Sequence, residues 1–108
     1  MDRRIKLRHL EAFVAITKLR SLKRAAERLH LTQPAISRTL AELEQILGTR
    51  LLDRGRGGVE LTAQGEVLFD FAQAGLGALE RGLDGAAAAP RHSAPRLRVG
   101  ALPSVAAR

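Results

Sequence analysis

The 108-residue chain carries 18 Lys and Arg against 11 Asp and Glu, which gives a formal net charge of +7. That length suffices for one compact domain with an accessory element but not for a second full domain, and the charge favours a polyanionic partner, nucleic acid before a membrane surface. The absence of cysteine excludes disulfides, thiolate nucleophiles and the common zinc-finger ligand sets.

The basic excess lies in the first part of the chain. Residues 1–61 hold 13 Lys and Arg against 7 Asp and Glu, whereas residues 62–108 hold 5 against 4. No apolar run approaches the roughly 18 residues that a membrane-spanning helix needs, and the N-terminus does not resemble a signal segment. We therefore predict a cytoplasmic protein without a membrane partner, whose first 61 residues meet the polyanion.

Two short helices open the chain. Apolar residues at helical spacing predict the first helix over residues 7–18. Ser21 is a suitable N-cap for the second, which carries Ala25 and Ala26 on its packing face. These small side chains allow another helix to approach closely.

A third helix is predicted over residues 33–47. Thr32 is its N-cap, and Pro34 is tolerated because it falls in the first helical turn. Gly48 is a suitable C-cap. One narrow apolar stripe, which we expect to face inward, is formed by Ile36, Leu40, Leu43 and Leu47.

A β-hairpin and a long helix follow. Two short extended stretches within residues 51–61 flank the turn Gly55-Arg56-Gly57-Gly58 and predict a small wing. Thr62 can cap a fourth helix over residues 62–85. Its apolar positions, which we expect to form a dimer interface, are Leu68, Phe71, Ala72, Leu76, Leu79 and Leu83.

The predicted fold is therefore mainly α: a winged helix-turn-helix of three helices plus a two-stranded β-wing, followed by a long dimerisation helix. The winged helix-turn-helix domain covers residues 1–61, and the linker helix covers 62–85. The Ala- and Pro-rich segment 86–95 is predicted to be a hinge. The alternating polar and apolar residues within 96–108 predict the first strand of a further domain.

Two short helices joined by a tight turn are typical of a helix-turn-helix, whose second helix enters the major groove of DNA. The residues opposite the inward stripe are Pro34, Arg38, Ala41 and Gln45, and Ser37 lies on one flank. Gln33, Ser37 and Arg38 can hydrogen-bond to base edges, since Gln pairs with adenine and Arg with guanine. Pro34 adds an apolar contact suited to a thymine methyl group.

Further cations flank this predicted recognition helix. Arg54 and Arg56 lie beside glycines at the wing tip, where nothing bulky prevents a close approach to phosphates or a minor groove. Lys23 and Arg24 on the second helix can reach the DNA backbone. For all four, an ordinary solvated surface remains the alternative.

These segments together resemble the LysR-type transcriptional regulators, and the resemblance extends over residues 4–84. The motifs that carry it are Arg8–Phe13, Ala25–Leu29, Thr32–Ser37, Leu43-Glu44, Leu47-Gly48, Leu51-Leu52, Arg54 and Leu61–Gly65. The resemblance implies promoter DNA as the target and a homodimer formed through the linker helix. It also implies tetramers, and a small-molecule effector bound by a C-terminal domain of which residues 96–108 would be the start.

Carried over residue by residue, the resemblance implies contacts to bases or phosphates from Thr32, Gln33, Pro34, Ser37 and Arg38, and a wing contact from Arg54. Two positions depart from the family pattern. Leu52 stands where phenylalanine is frequent, and Glu60 stands where a basic or polar residue is common.

Two other classes of protein compete with a DNA-binding regulator. An enzyme is disfavoured because no nucleophile–base pair, carboxylate dyad or phosphate-binding glycine loop occurs. His9, His30 and His92 lack metal-ligand spacing, so we predict neither a metal nor a cofactor. A helical module that pairs through residues 62–85 without contacting DNA remains the second alternative.

Overall fold

Six elements follow one another in the predicted order. They are helices α1 (Leu7–Leu19), α2 (Leu22–Arg28) and α3 (Gln33–Leu47), strands β1 (Leu52–Gly55) and β2 (Gly58–Leu61), and helix α4 (Ala63–Ala88). This computed structural model describes residues 1–55 and 57–91. The mainly helical, winged helix-turn-helix fold is confirmed, while the predicted strand within 96–108 lies outside the described residues.

Local capping explains where the helices begin and end. The Ser21 hydroxyl accepts a hydrogen bond from the Arg24 amide, and the Thr32 hydroxyl accepts one from the Ala35 amide. The Thr62 hydroxyl accepts from the Gly65 amide in the same way. Gly48 ends α3 at φ 72°, in the left-handed region that glycine adopts without a steric penalty. All four predicted caps are confirmed.

The core lies between the three short helices and the hairpin. Its largest fully buried side chains are Phe13, Ile16, Ile36, Leu43, Leu51 and His9. Phe13 also meets Phe69 of α4 edge to face, with ring centroids 6.3 Å apart. The first turns of α4 therefore complete the core of the N-terminal domain.

The apolar stripe of α3 is only partly buried. Ile36 and Leu43 are fully buried, as predicted, and Leu40 is half-buried. Leu47 was expected to face inward and is instead 41% exposed. The expectation fails because Leu47 is the last residue of α3, one turn beyond the last fully buried position.

The chain divides into two compact units, Met1–Ala78 and a second unit that begins at Leu79. In the first unit the hairpin pairs β1 with β2 antiparallel, with Leu52 opposite Leu61. In the second, the helix extends to Ala88, so residues 86–88 are helical rather than part of the predicted hinge. Alanine has the highest helix propensity, and Pro90 disfavours helical geometry at the residue before it.

Candidate nucleic-acid interface

The first turns of α3 present the predicted recognition surface, which comprises Gln33, Pro34, Ser37 and Arg38. The side chains of Gln33, Pro34 and Arg38 are exposed, and Ser37 is half-buried. Ala41 and Gln45 are also exposed, so the outward direction inferred from the apolar stripe is confirmed. Thr32 is exposed too, although its hydroxyl already caps the helix.

The turn between α2 and α3 sets the direction of the recognition helix. His30 adopts a left-handed conformation, with φ 59°, and its amide donates to the Glu27 carbonyl. The Leu31 amide donates to the Ala26 carbonyl at 2.8 Å, which closes the end of α2. With Ala26 itself buried, the turn holds α3 close against its neighbour.

The alternation of side chains along the wing separates its charges. Arg54 pairs with Val59 across the hairpin, and Asp53 pairs with Glu60. Because Val59 is buried, Arg54 shares the inner face of the hairpin while the two acids project from the opposite face. One cleft beside α3 is lined by Leu22, Gln33, Pro34, Ser37 and Arg54. The wing thus brings a cation, and no acid, to the recognition surface.

Glu44 anchors the start of the wing to α3. Its Oε2 accepts hydrogen bonds from the amides of Leu51 at 2.8 Å and Leu52 at 3.2 Å. The guanidinium of Arg50 lies 3.8 Å from the same oxygen. Sequence patterns do not identify this role, because Glu44 looks like a flanking surface residue until the chain folds back onto it.

A second cleft joins α2 to the wing, and we call it the wing cleft. Its lining includes Arg20, Lys23, Gln33, Arg54 and Gly58. Lys23 was predicted as a backbone contact and lies here, whereas the exposed Arg24 borders neither this cleft nor the one beside α3. Arg20, which also lines this cleft, is not among the residues that the sequence predicted to contact DNA. Arg56, predicted for the wing tip, lies outside the described residues.

Other charged groups are engaged with one another. Arg4 donates two hydrogen bonds from its guanidinium to Asp2, which lowers the pKa of that carboxyl to about 2. The buried His9 accepts from the Lys6 amide at Nδ1, so its Nε2 carries the proton and donates to Glu42 at 3.1 Å. These contacts give His9 a structural role, linking the start of α1 to α3.

The predicted dimer stripe on α4 is divided by burial. Ala72 is buried, and Leu68 and Leu76 are half-buried against the protomer's own core. In the first unit Phe71 is 75% exposed. In the second unit Leu79 and Leu83 are 54% and 70% exposed. Within the predicted stripe, Phe71, Leu79 and Leu83 are therefore the members that the protomer leaves exposed.

Within residues 1–55 and 57–91, no group of three or more His, Asp or Glu side chains is arranged to hold a metal ion. The helices described there include none with the length and apolarity to cross a membrane.

Known proteins resemble this chain in both sequence and fold. The family model for bacterial regulatory helix-turn-helix proteins of the lysR family matches residues 7–66. The transcriptional regulator PcaQ of Agrobacterium fabrum is 43% identical over 108 residues, which is 100% of this chain and 35% of PcaQ. The chain therefore spans about a third of that relative's length.

Two solved DNA complexes share the fold. The BenM DBD bound to catB site 1 DNA superposes with a TM-score of 0.73 at 34% identity, over 77% of this chain and 93% of that one. The CbnR DBD in its DNA complex gives a TM-score of 0.69 at 37% identity, over 78% of this chain and 97% of that one. The similarity thus extends to domains whose structures were solved in complex with DNA.

Proposed function

The chain belongs to the LysR family of bacterial regulatory helix-turn-helix proteins, and from this premise we propose that it binds double-stranded promoter DNA sequence-specifically as part of a transcription regulator. One observation carries the proposal: exposed Gln33 of α3 and Arg54 of the wing line the same cleft. BenM and CbnR domains with this fold were solved on DNA. The proposed activity is binding, with no catalysis.

In the proposed complex, α3 enters the major groove with its N-terminal turns against the bases. Arg38 and Gln33 are exposed there and have the donors and acceptors that guanine and adenine present. Ser37 can hydrogen-bond to either, and Pro34 can contact a thymine methyl group. The helix N-terminus at Thr32 favours a phosphate, because unpaired amides and the helix dipole both attract anions.

The surrounding cations would hold the domain on the DNA backbone. Arg54 and Arg56 of the wing are proposed to contact phosphates or the minor groove, and Lys23 and Arg24 to contact phosphates from α2. The acids Asp53 and Glu60 support this arrangement, since they project from the opposite face of the hairpin. The carboxylates that would repel phosphates therefore lie away from the proposed contact face of the wing.

We further propose that two copies pair through α4. A single recognition helix covers few base pairs, so specificity in helix-turn-helix proteins usually comes from two copies on an inverted repeat. The exposed side chains of Phe71, Leu79 and Leu83 supply apolar surface for the pairing. For a longer protein of this family, the proposal extends to tetramers, an effector-binding domain and action in the cytoplasm.

The test is an in vitro selection from a random duplex library with the 108-residue chain. We expect enrichment of an inverted repeat, and a binding constant that falls steeply as salt rises because bound cations release counterions from phosphates. The enriched duplex and a scrambled duplex of equal composition are then titrated by fluorescence anisotropy at several salt concentrations. Equal affinity for the two duplexes would overturn sequence-specific binding.

The same titration separates the rival function. A helical module that pairs through α4 without contacting DNA would dimerise and yet bind neither duplex at any salt concentration. Such a result would contradict the DNA-binding proposal directly, while leaving the pairing of α4 intact.

A further inference from the structure

Arg20 has an unusual backbone for an arginine. It ends α1 in the left-handed conformation, with φ 54° and ψ 34°, and its amide donates to the Ile16 carbonyl at 2.8 Å. Glycine is the usual residue at such a position, because the Cβ of any other residue crowds the backbone there. Arg20 therefore places a long cationic side chain at a position where the backbone conformation favours glycine.

The surroundings of Arg20 fix its place between two elements. It directly precedes Ser21, the N-cap of α2, so the chain enters the helix-turn-helix from this residue. On the other side, a Cβ atom added to Gly58 of the wing would lie 3.4 Å from the Arg20 carbonyl oxygen. The backbone of Arg20 thus lies where α1, α2 and the turn end of the wing meet.

The side chain of Arg20 is exposed and lines the wing cleft together with Lys23 and Arg54. No acidic residue lines that cleft. Among the residues that the structure describes, Arg20 takes part in no ion pair. Three cations gathered without a counter-charge repel one another, so the cleft is better suited to receiving an anion than to being left empty.

We propose that Arg20 contacts a DNA phosphate at the wing cleft, joining the phosphate contacts of α2 to those of the wing. A guanidinium matches a phosphate because it can donate two parallel hydrogen bonds to it. The inference rests on the proposed function. It adds a DNA contact from Arg20, which lies outside both the recognition helix and the wing. The competing role is intramolecular, since Glu60 and Glu66 border a neighbouring cleft that Arg20 also lines.

The decisive variant is Arg20→Gly, because glycine adopts the left-handed backbone freely. Lost phosphate contact lowers the slope of log K against log salt by about 0.9, which is roughly an eightfold loss of affinity at 0.1 M salt. The melting temperature stays the same or rises, since the strained backbone is relieved. A purely structural role would instead lower the melting temperature and leave the slope unchanged, which would overturn the proposal.

Lys18→Gln is the matched control. Lys18 is an exposed cation in the last turn of α1, and it borders neither cleft lined by Arg20, so its loss should change the slope much less. Equal slope changes in the two variants would reduce Arg20 to a general contribution of charge and overturn the proposal. Failure of the proposed function is seen separately, because it would appear as absent binding by the unmodified chain in the same titration.

Discussion

Gly65 packs directly against the main-chain carbonyl of Leu51. A Cβ atom at position 65 would overlap the Leu51 carbonyl oxygen and would also crowd the side chain of Leu61. That same carbonyl accepts a hydrogen bond from the Thr62 amide at 3.0 Å, so it cannot easily move away. The close approach lets the first turn of α4 seal the base of the wing.

Gly65→Ala should therefore destabilise the domain. Overpacking a rigid contact costs about 1–3 kcal/mol, which outweighs the gain of about 1 kcal/mol that alanine brings to a helix. The matched control is Gly75→Ala in the same helix, where an added Cβ meets nothing within 4 Å and the helix gain should remain. Urea denaturation of both variants measures the difference. Equal stabilisation by the two substitutions would contradict the packing described for Gly65.

Glu44→Ala should loosen the wing from α3. The substitution leaves the amides of Leu51 and Leu52 without their acceptor, and an unsatisfied buried donor costs about 1–3 kcal/mol. Glu44→Gln should cost less, since its amide oxygen can still accept. Chemical denaturation gives the free energies of unfolding, with Glu11→Ala on the exposed face of α1 as the control. A loss no larger than that of Glu11→Ala would exclude the anchoring role.

Local signals in the sequence sufficed for the helices and the wing. The N-caps Ser21 and Thr32 and the C-cap Gly48 bond to amides and carbonyls a few residues away, so they can be predicted from the local sequence alone. The outward direction of Arg38 followed from one helical stripe for the same reason. These are properties of single elements, and they held when the elements packed.

What the sequence did not predict depends on residues that are distant along the chain. Glu44 meets Leu51 only after the chain reverses at Gly48, and Arg20 reaches the wing cleft only when the wing folds back against α1. The exposure of Leu47 likewise depends on how far the elements packed against α3 extend toward its C-terminal end. Periodicity gives the direction of a side chain and leaves open whether anything lies there to cover it.

Arg38→Ala tests direct readout by the recognition surface. If Arg38 pairs with a guanine, its loss should cost about 1–3 kcal/mol and relax the preference at one base pair in each half-site. Repeating the selection with the variant measures both effects. Gln45→Ala is the control, since Gln45 is exposed on the same face two turns further along α3. Equal weakening on every sequence would reassign Arg38 to the phosphate backbone.

Substitutions on α4 test the proposed pairing of two copies. Leu79→Asp and, separately, Phe71→Asp place a carboxylate on apolar surface that the protomer leaves exposed. Burying an unpaired charge in an interface costs roughly 3 kcal/mol or more, so the dimer dissociation constant should rise at least about a hundredfold. Gln73→Asp adds the same charge to an exposed polar position of α4 and should leave the dimer intact.

Sedimentation equilibrium measures the association, and circular dichroism should show the fold retained, because neither apolar side chain belongs to the core. Monomeric variants should keep weak binding to any duplex and lose most of their preference for the inverted repeat. An unmodified chain that sediments as a monomer at high concentration, or an aspartate variant that stays dimeric, would refute pairing through α4.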